Sequence, residues 1–484
     1  MKYFVFAVGG TGARCLESLI YLCAMGLGPK TLHPFLVDPD IGNGNLSRTT
    51  ELIKSYKAIR SKMANPTEGS LFYTDISFEL TDQEGGNTAA NPNMFNPNSK
   101  LLRGQNTLAH FIEYNTKLSS ETGTKLLADL LFSKDELDMD MTQGYRGIPS
   151  IGSILMTTIK DDPLWTSLIT TLKEGRGSKV FVFASVFGGT GASGYPVISQ
   201  MIRKECPEPE IGGALILPYF TLIDPQNLMA TRQDMKEEKI LPNSSSFLMN
   251  AKAACEYYYN NFSKVNSNYV LGDDLNLSKP YENYEIGSKG QKNDAHIVEL
   301  LAAYAAIDFW EKPKEEHRAF YCLGAENPKS DTDKVWGITD SDLPHSKKVL
   351  PLEKFALIHL YLTEIKDLIE KSKPDDLDKI AWLRKLNFRG QDILDQQDSL
   401  KPLFALSDSF KVWIKQMHKN SAELDIFNDD LWLDYLLAKN PDKYRGFPIS
   451  RMDKALFIKP MKKNNLVDSI ITTLSQAKIV KGGN

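Results

Sequence analysis

The fold predicted for this chain of 484 residues depends most on one stretch, Val186-Phe187-Gly188-Gly189-Thr190-Gly191-Ala192-Ser193-Gly194. These residues follow a mostly apolar run at 179–186 and precede a helical pattern, so they predict a glycine loop between a buried strand and a helix. Such a loop presents backbone N–H groups at a helix N-terminus, where anions bind favourably. The stretch therefore predicts a phosphate-binding loop.

A second glycine loop with nearly the same residues lies at the start of the chain. Gly9-Gly10-Thr11-Gly12-Ala13-Arg14 follows the apolar run 3–8 and leads into a helical pattern at 13–25. Because ligands of parallel sheets bind at the carboxyl ends of the strands, we expect both loops to face one nucleotide pocket. The site residues predicted in the two loops are Gly9, Gly10, Thr11, Gly12, Arg14, Gly188, Gly189, Thr190, Gly191 and Ser193.

Three other interpretations of these loops fit the residues less well. Either loop alone is compatible with a tight strand-to-helix turn that binds nothing. A Walker A loop fits poorly, since neither loop contains its lysine followed by serine or threonine. The first loop approaches the dinucleotide fingerprint of Rossmann oxidoreductases, but its third glycine position is Cys15. A nicotinamide-dependent enzyme is therefore the weakest alternative, because no proton-transfer residue can be tied to a substrate.

The order of strand and helix patterns predicts an α/β fold. Strands and helices alternate through the first half of the chain, which indicates a parallel sheet with helices on both faces. An insertion, irregular and then helical, is predicted at about 65–143, either as a surface excursion or as a lid or partner surface. Few strand patterns follow residue 350. The predicted division is a nucleotide-binding domain at 1–345 and a mainly helical module at 346–484.

Composition excludes several classes of protein. The 57 basic and 61 acidic residues give a net charge of −4 without a basic patch, so no nucleic-acid partner is indicated. No apolar run approaches the ~20 residues that span a bilayer, so no membrane segment is predicted. The five cysteines are widely spaced and suggest neither a disulfide framework nor a zinc site. We therefore expect a cytoplasmic protein.

Four segments, in order, resemble the tubulin/FtsZ superfamily. The 186–194 loop is similar to its GGGTGSG signature, with Phe187 and Ala192 as departures. Residues 7–14 resemble its first phosphate loop and Val37-Asp38-Pro39-Asp40 its second. Residues 144–152, a glycine-rich run ending in Pro-x-Ile-Gly, resemble the third loop of FtsZ. The resemblance is to the divergent bacterial tubulin-like branch and covers about residues 1–345.

The resemblance implies a guanine nucleotide, GTP or GDP, bound with Mg²⁺. It implies that Asp38 acts on the Mg²⁺ through water and that Gly147 and Pro149 of the third loop belong to the site. It also implies that Asn293, Asp294 and His296, before or at the start of a long apolar helix, are candidates for contact with the guanine base. The alternative for Asn293 and Asp294 is that they cap that helix, a role compatible with base contact, and the alternative for His296 is a structural histidine.

The resemblance further implies a cytoskeletal protein that assembles head to tail into filaments. In such filaments an acidic loop of one subunit completes the GTPase site of the next. Asp340 and Asp342 are the candidate catalytic residues, although the Asn-x-Asp-x-x-Asp context of the family is absent and a helix-leading acidic turn is the alternative. The competing function is a non-polymerising, nucleotide-dependent switch or scaffold for a partner protein.

Overall fold

The structure is a computed structural model. It describes residues 1–80, 92–101, 105–117, 122–142, 144–222, 246–261, 265–273, 280–281, 291–322, 349–379, 383, 386, 388–421, 424–430, 432 and 465–476.

An eight-stranded sheet forms the centre of the molecule, and each of its strand pairs is parallel. The order is β10-β8-β6-β5-β1-β2-β3, and β4 also pairs with β2. Two further strands, β7 and β9, pair separately. The strands are β1 Tyr3–Val8, β2 Thr31–Val37, β3 Asp75–Ile76, β4 Asn93–Phe95, β5 Lys179–Ser185, β6 Glu210–Ile216, β7 Thr221–Leu222, β8 Ser267–Leu271, β9 Pro280–Tyr281 and β10 Phe320–Cys322.

Helices connect the strands and form the C-terminal region. They are α1 Gly9–Ala24, α2 Gly44–Arg60, α3 Leu108–Phe111, α4 Thr122–Leu131, α5 Lys134–Leu137, α6 Pro149–Met156, α7 Pro163–Glu174, α8 Gly189–Glu205, α9 Phe247–Asn261, α10 Ile297–Glu311, α11 Val349–Lys371, α12 Pro374–Leu377, α13 Gly390–Asp395, α14 Gln397–Asn420 and α15 Leu466–Ser475. Short 3₁₀ helices lie at Thr157–Asp161, Lys314–Glu316 and Asp425–Phe427. Among the described helices, none combines the length and apolarity needed to cross a bilayer.

The central strands are apolar on both faces because helices cover both. Side chains of β1 alternate: Val5 and Ala7 belong to one hydrophobic core, while Phe4 and Phe6 belong to the other. Helices α1, α2 and α10 pack on the first face, and α6, α7 and α8 on the second. The predicted α/β architecture is confirmed. With β4 and β10 set aside, the remaining strands have the 3-2-1-4-5-6 order of doubly wound sheets.

The predicted insertion at 65–143 contributes directly to the sheet, which the sequence did not indicate. Strands β3 and β4 both pair with β2. The Phe95 ring is fully buried and stacks with Phe35 at a centroid distance of 5.7 Å. Further along, Leu126 and Leu130 of α4 are 63% and 82% exposed. The region is thus partly core and partly surface.

The described part of the C-terminal region consists of helices, as predicted. It packs through α14 against the half of the molecule that contains the glycine loops. The Tyr21 ring of α1 lies 5.5 Å from that of Phe410 and 5.0 Å from that of Trp413. These residues belong to one hydrophobic core with α2 and α10. The domain boundary predicted at 345 lies outside the described residues.

Candidate functional site

The two glycine loops meet, and the third loop lies against them. Gly9 has a φ of +73°, and a Cβ added to it would lie 3.3 Å from the Cβ of Thr190. A Cβ on Gly189 would lie 2.8 Å from the Cβ of Tyr145 and 3.0 Å from the backbone N of Gly147. The strand register explains the first contact, because Val8 at the end of β1 is paired with Ala184 near the end of β5. The three loops therefore form one site.

Two helix N-termini open onto this site. Helix α1 begins after Val8 and α8 after Gly188, and neither start has a side-chain cap among the described residues. Within the same described region, the first turns of both helices lack acidic residues. Their first backbone N–H groups are therefore available to a ligand. Two positive helix ends facing one space favour an anion with more than one charged group.

The loops line an open cleft of about 900 Å³, a volume that includes the solvent space at its mouth. Eleven predicted site residues line it: Gly9, Gly10, Thr11, Arg14, Asp38, Gly147, Gly188, Gly189, Thr190, Gly191 and Asn293. The remaining lining residues are Asp40, Asn43, Asn45, Gly144, Tyr145, Arg146, Ser185, Phe187, Phe220, Leu222, Phe247 and Gln291.

Gly12, Pro149 and Ser193 are not among the described residues that line the cleft. A Cβ on Gly12 would lie 2.7 Å from the carbonyl carbon of Ala7, so this glycine lets α1 pack closely on β1. Pro149 is the first residue of α6. The Ser193 hydroxyl is buried and donates to the carbonyl of Gly189 at 2.8 Å. These three residues therefore belong to the loops and helices around the cleft without lining it.

The two candidate catalytic residues, Asp340 and Asp342, lie outside the described residues. Their role stays a prediction.

Arg14 forms the floor of the cleft and is already paired. Its Nε donates to Oε1 of Glu299 at 2.5 Å, and its Nη2 donates to the Tyr219 hydroxyl at 2.5 Å. Arg14 is 2% exposed and the Glu299 side chain is fully buried. Because Glu299 balances its charge, Arg14 holds α1 against α10 more than it offers a free cation to a ligand.

A second arginine, Arg146, lines the cleft on the third loop. It has a φ of +47°, a left-handed conformation that costs a non-glycine residue about 1–2 kcal/mol. Neighbouring contacts hold the loop in place: Ile148 N donates to the Tyr145 carbonyl at 2.8 Å, and the Asn250 amide donates to the Gly147 carbonyl at 3.4 Å. Such strain concentrates at binding sites. Arg146 was not predicted from the sequence, although its place between Gly144 and Gly147 was a usable signal.

Two carboxyl groups stand at the end of β2. Asp40 N donates to Oδ1 of Asp38 at 2.9 Å, and Gly42 N donates to Oδ1 of Asp40 at 3.1 Å. Burial, with a smaller contribution from the nearby Asp40 carboxylate, raises the pKa of Asp38 to about 8, against the hydrogen bond from Asp40 N. Burial also raises the pKa of Asp40.

These carboxyl groups fit the Mg²⁺ implied by the resemblance. Oδ2 of Asp40 is buried and has no hydrogen-bond partner among the described residues, so one hard oxygen ligand is available. The described chain contains no cluster of three metal-binding side chains. Mg²⁺ commonly binds through one or two carboxylates plus substrate phosphates and water, which matches this pair.

Four carboxamide side chains form one wall of the cleft. Asn43 Nδ2 donates to Oε1 of Gln291 at 2.9 Å, and Asn45 Nδ2 donates to Oδ1 of Asn293 at 3.1 Å. The backbone N of Asn293 donates back to Oδ1 of Asn45 at 3.0 Å. Asn43, Asn45 and Gln291 were not predicted from the sequence, because the paired residues lie almost 250 positions apart in the chain. The wall offers both donors and acceptors.

The alternative that Asn293 and Asp294 cap the following helix is contradicted by the structure. Helix α10 begins at Ile297, and His296 is its cap, with Nδ1 accepting from the backbone N of Val298 at 3.3 Å. Glu299 completes a capping box by accepting from the backbone N of His296 at 3.1 Å. Asn293 therefore does not cap α10, and it lies in the wall of the cleft.

Comparisons with known proteins add little to this geometry. No protein-family model and no curated protein matches the sequence. Among solved structures the chain is similar to CetZ2 from Haloferax volcanii, in a GTPγS-bound protofilament, at 13% identity and a TM-score of 0.31. The match covers 64% of this chain and 58% of the CetZ2 chain. A likeness this low carries no conclusion about ligand or assembly.

Proposed function

We propose that the cleft binds a guanine nucleotide, GTP or GDP, with Mg²⁺. The observation that carries the proposal is the contact between Gly9 and Thr190, which brings two uncapped helix N-termini to one cleft. Phosphates bind across both loops through backbone N–H groups. A single phosphate needs only one such helix end, so the pair favours a polyphosphate.

The amide wall is the proposed binding surface for the base. Asn293 belongs to it, as the resemblance implies, together with Asn43, Asn45 and Gln291. Carboxamides accept from ring N–H groups and donate to carbonyl oxygens, both of which guanine presents. The choice of guanine over adenine rests on the sequence resemblance.

The nucleotide itself tests this proposal. The purified protein is denatured, and released small molecules are identified by chromatography; GDP or GTP at a substantial fraction of the protein concentration is expected. The stripped protein is then titrated with GDP, ADP and NADH. Binding of GDP supports the proposal, whereas binding of NADH alone would replace it with the oxidoreductase alternative.

Self-assembly and GTP hydrolysis extend the proposal. Asp340 and Asp342 of one subunit would then orient water at the γ-phosphate bound by its neighbour. Phosphoryl transfer needs such positioning and charge stabilisation. Hydrolysis per subunit must therefore rise with protein concentration, and light scattering must rise on addition of GTP. Constant turnover at all concentrations contradicts assembly-dependent catalysis.

A non-polymerising switch or scaffold is the second candidate function. One observation favours it: the segment 294–295, next to the amide wall, is hydrogen-bonded to C-terminal helix α14. A nucleotide that moved this wall would also change the position of the helical region, to which a partner protein could bind. GTP binding without any increase in light scattering, at any protein concentration, selects this function.

A further inference from the structure

Helix α14 of the C-terminal region forms two hydrogen bonds to the backbone directly beside the amide wall. Gln416 Oε1 accepts from the backbone N of Ala295 at 3.0 Å, and Asn420 Nδ2 donates to the backbone carbonyl of Ala295 at 2.8 Å. Both backbone polar groups of one residue are thus held by two side chains one helical turn apart. Ala295 itself is fully buried.

The same short segment is held from the other side by α2. Asn45 pairs with the side chain and the backbone N of Asn293, and Nη1 of Arg48 donates to the Asn293 carbonyl at 3.0 Å. Arg48 is in turn paired with Glu17 of α1 at 2.7 Å. The position of Asn293 therefore depends on groups from α2 on one side and from α14 on the other.

Helices α2 and α14 also belong to one hydrophobic core, so the two supports are coupled. Ile53 and Tyr56 of α2 share this core with Phe410 and Met417 of α14, and all four are fully buried. A displacement of the end of α14 must shift either this core or the 291–296 segment. Because packed interiors have low compressibility, we expect the strain to reach the hydrogen-bonded segment rather than the core.

We propose that Gln416 and Asn420 are positioning residues for the base-binding wall, so that docking of α14 and binding of the nucleotide reinforce each other. The inference rests on the proposed function, because the wall is assigned to the base there. Neither side chain lines the described cleft, so their effect on the ligand is indirect. Reciprocity is required: if α14 strengthens nucleotide binding, the nucleotide must stabilise α14 by the same factor.

The first test measures affinity and base selectivity in the full chain. We expect the double variant Gln416→Ala/Asn420→Ala to bind GDP about fivefold to thirtyfold more weakly, as the loss of one or two neutral hydrogen bonds predicts. Its preference for GDP over ADP should fall, whereas the ratio of GTPγS to GDP affinity should stay unchanged, since the phosphate loops are untouched. Gln416→Glu keeps the accepting oxygen and should retain most of the affinity.

The matched control is Lys415→Ala on the same turn of α14. Lys415 is 59% exposed and its ion pair with Asp429 spans 3.9 Å, so its loss should leave GDP affinity within about twofold. Equal losses in the control and the double variant would overturn the inference, because they would reflect general loosening of α14. Unchanged affinity and base selectivity in the double variant would overturn it as well.

The second test measures hydrogen exchange. GDP should slow exchange of backbone amides at 405–420 as well as at the glycine loops, and in the double variant the effect at 405–420 should disappear. Protection confined to the loops contradicts the coupling while leaving nucleotide binding intact. A wild-type protein that binds neither GDP nor GTPγS rejects the proposed function itself.

Discussion

The backbone of Gly9 lies directly against the side chain of Thr190, so closely that a Cβ on Gly9 would be 3.3 Å from the Thr190 Cβ. The contact joins the ends of two adjacent parallel strands, β1 and β5, that are far apart in the chain. It leaves a narrow space between two helix N-termini, in which an extended anion can touch both.

Closing this space from one side should weaken nucleotide binding strongly. In Gly189→Val the new Cβ would lie 2.8 Å from Tyr145 and 3.0 Å from the backbone of Gly147, so the third loop must move off the cleft. We expect a loss of GDP affinity of roughly a hundredfold, about 3 kcal/mol, measured by calorimetric titration. Gly123→Val is the control, because a Cβ there meets nothing within 4 Å. Normal affinity in folded Gly189→Val would contradict the three-loop site.

The buried pair of Arg14 and Glu299 should contribute to stability in a non-additive way. Arg14→Met leaves the Glu299 carboxylate buried without its partner, which should lower the free energy of unfolding by about 3–5 kcal/mol. The double variant Arg14→Met/Glu299→Leu removes both charges and should recover at least half of that loss. Urea unfolding of the parent, the two single variants and the double variant gives the coupling energy. A double variant less stable than Arg14→Met would show that the charges are not the reason.

Arg146 should matter for binding more than for folding. Arg146→Asn removes the charge but keeps a side chain that tolerates the left-handed backbone. We expect about tenfold weaker GDP binding and an unfolding temperature within about 2 °C of the parent, as for loss of one charge-assisted contact. Arg176 also lies between two glycines but away from the cleft lining, so Arg176→Asn is the control. Equal GDP affinities in the two variants would show that Arg146 does not contribute to nucleotide binding.

His359 should make the protein less stable in acid. Burial, and then the charge of Lys411, lower its pKa to about 4, against the opposing effect of Asp408. In the unfolded chain the pKa is about 6.5, so between pH 6.5 and 4 the unfolded state binds the proton and the folded state does not. Stability is therefore complete above pH 6.5 and decreases as the pH falls towards 4.

The comparison with His359→Gln isolates this contribution. Between pH 7.5 and 5 the parent should lose about 2 kcal/mol more unfolding free energy than the variant, measured by urea unfolding at both pH values. Glutamine is a good helix former and can donate to or accept from the Ser407 hydroxyl, which lies 2.7 Å from Nδ1 of His359. Parallel pH profiles of the two proteins would show that His359 titrates normally.

The sequence predicts the parts of the site that depend on local patterns. Strands β1 and β5 and the glycine loops after them follow from buried runs joined to helical periodicity. Strand β4 could not be predicted from local patterns, because Asn93, Met94 and Phe95 are surrounded in the sequence by asparagines and prolines. These three residues form a strand through their pairing with the edge of β2. The wall of Asn45 and Asn293 is likewise a tertiary feature.

Local capping signals were less informative than expected. Asn293 and Asp294 have the side chains that usually begin a helix, yet the cap is His296. The helix begins later because Asn293 is already bonded to Asn45 and Arg48, and these contacts fix its backbone. Tertiary hydrogen bonds therefore exclude the capping role for Asn293, while its contact with a base stays a prediction.

The outermost described strands of the sheet restrict how copies of this chain can associate. Strands β3 and β4, which share one edge of the sheet, have two and three residues, and β10 at the other edge has three, so the described edges expose few backbone groups to an incoming strand. Short edges protect natural sheets against pairing with other molecules. The addition of a strand from another copy at these described edges is therefore disfavoured.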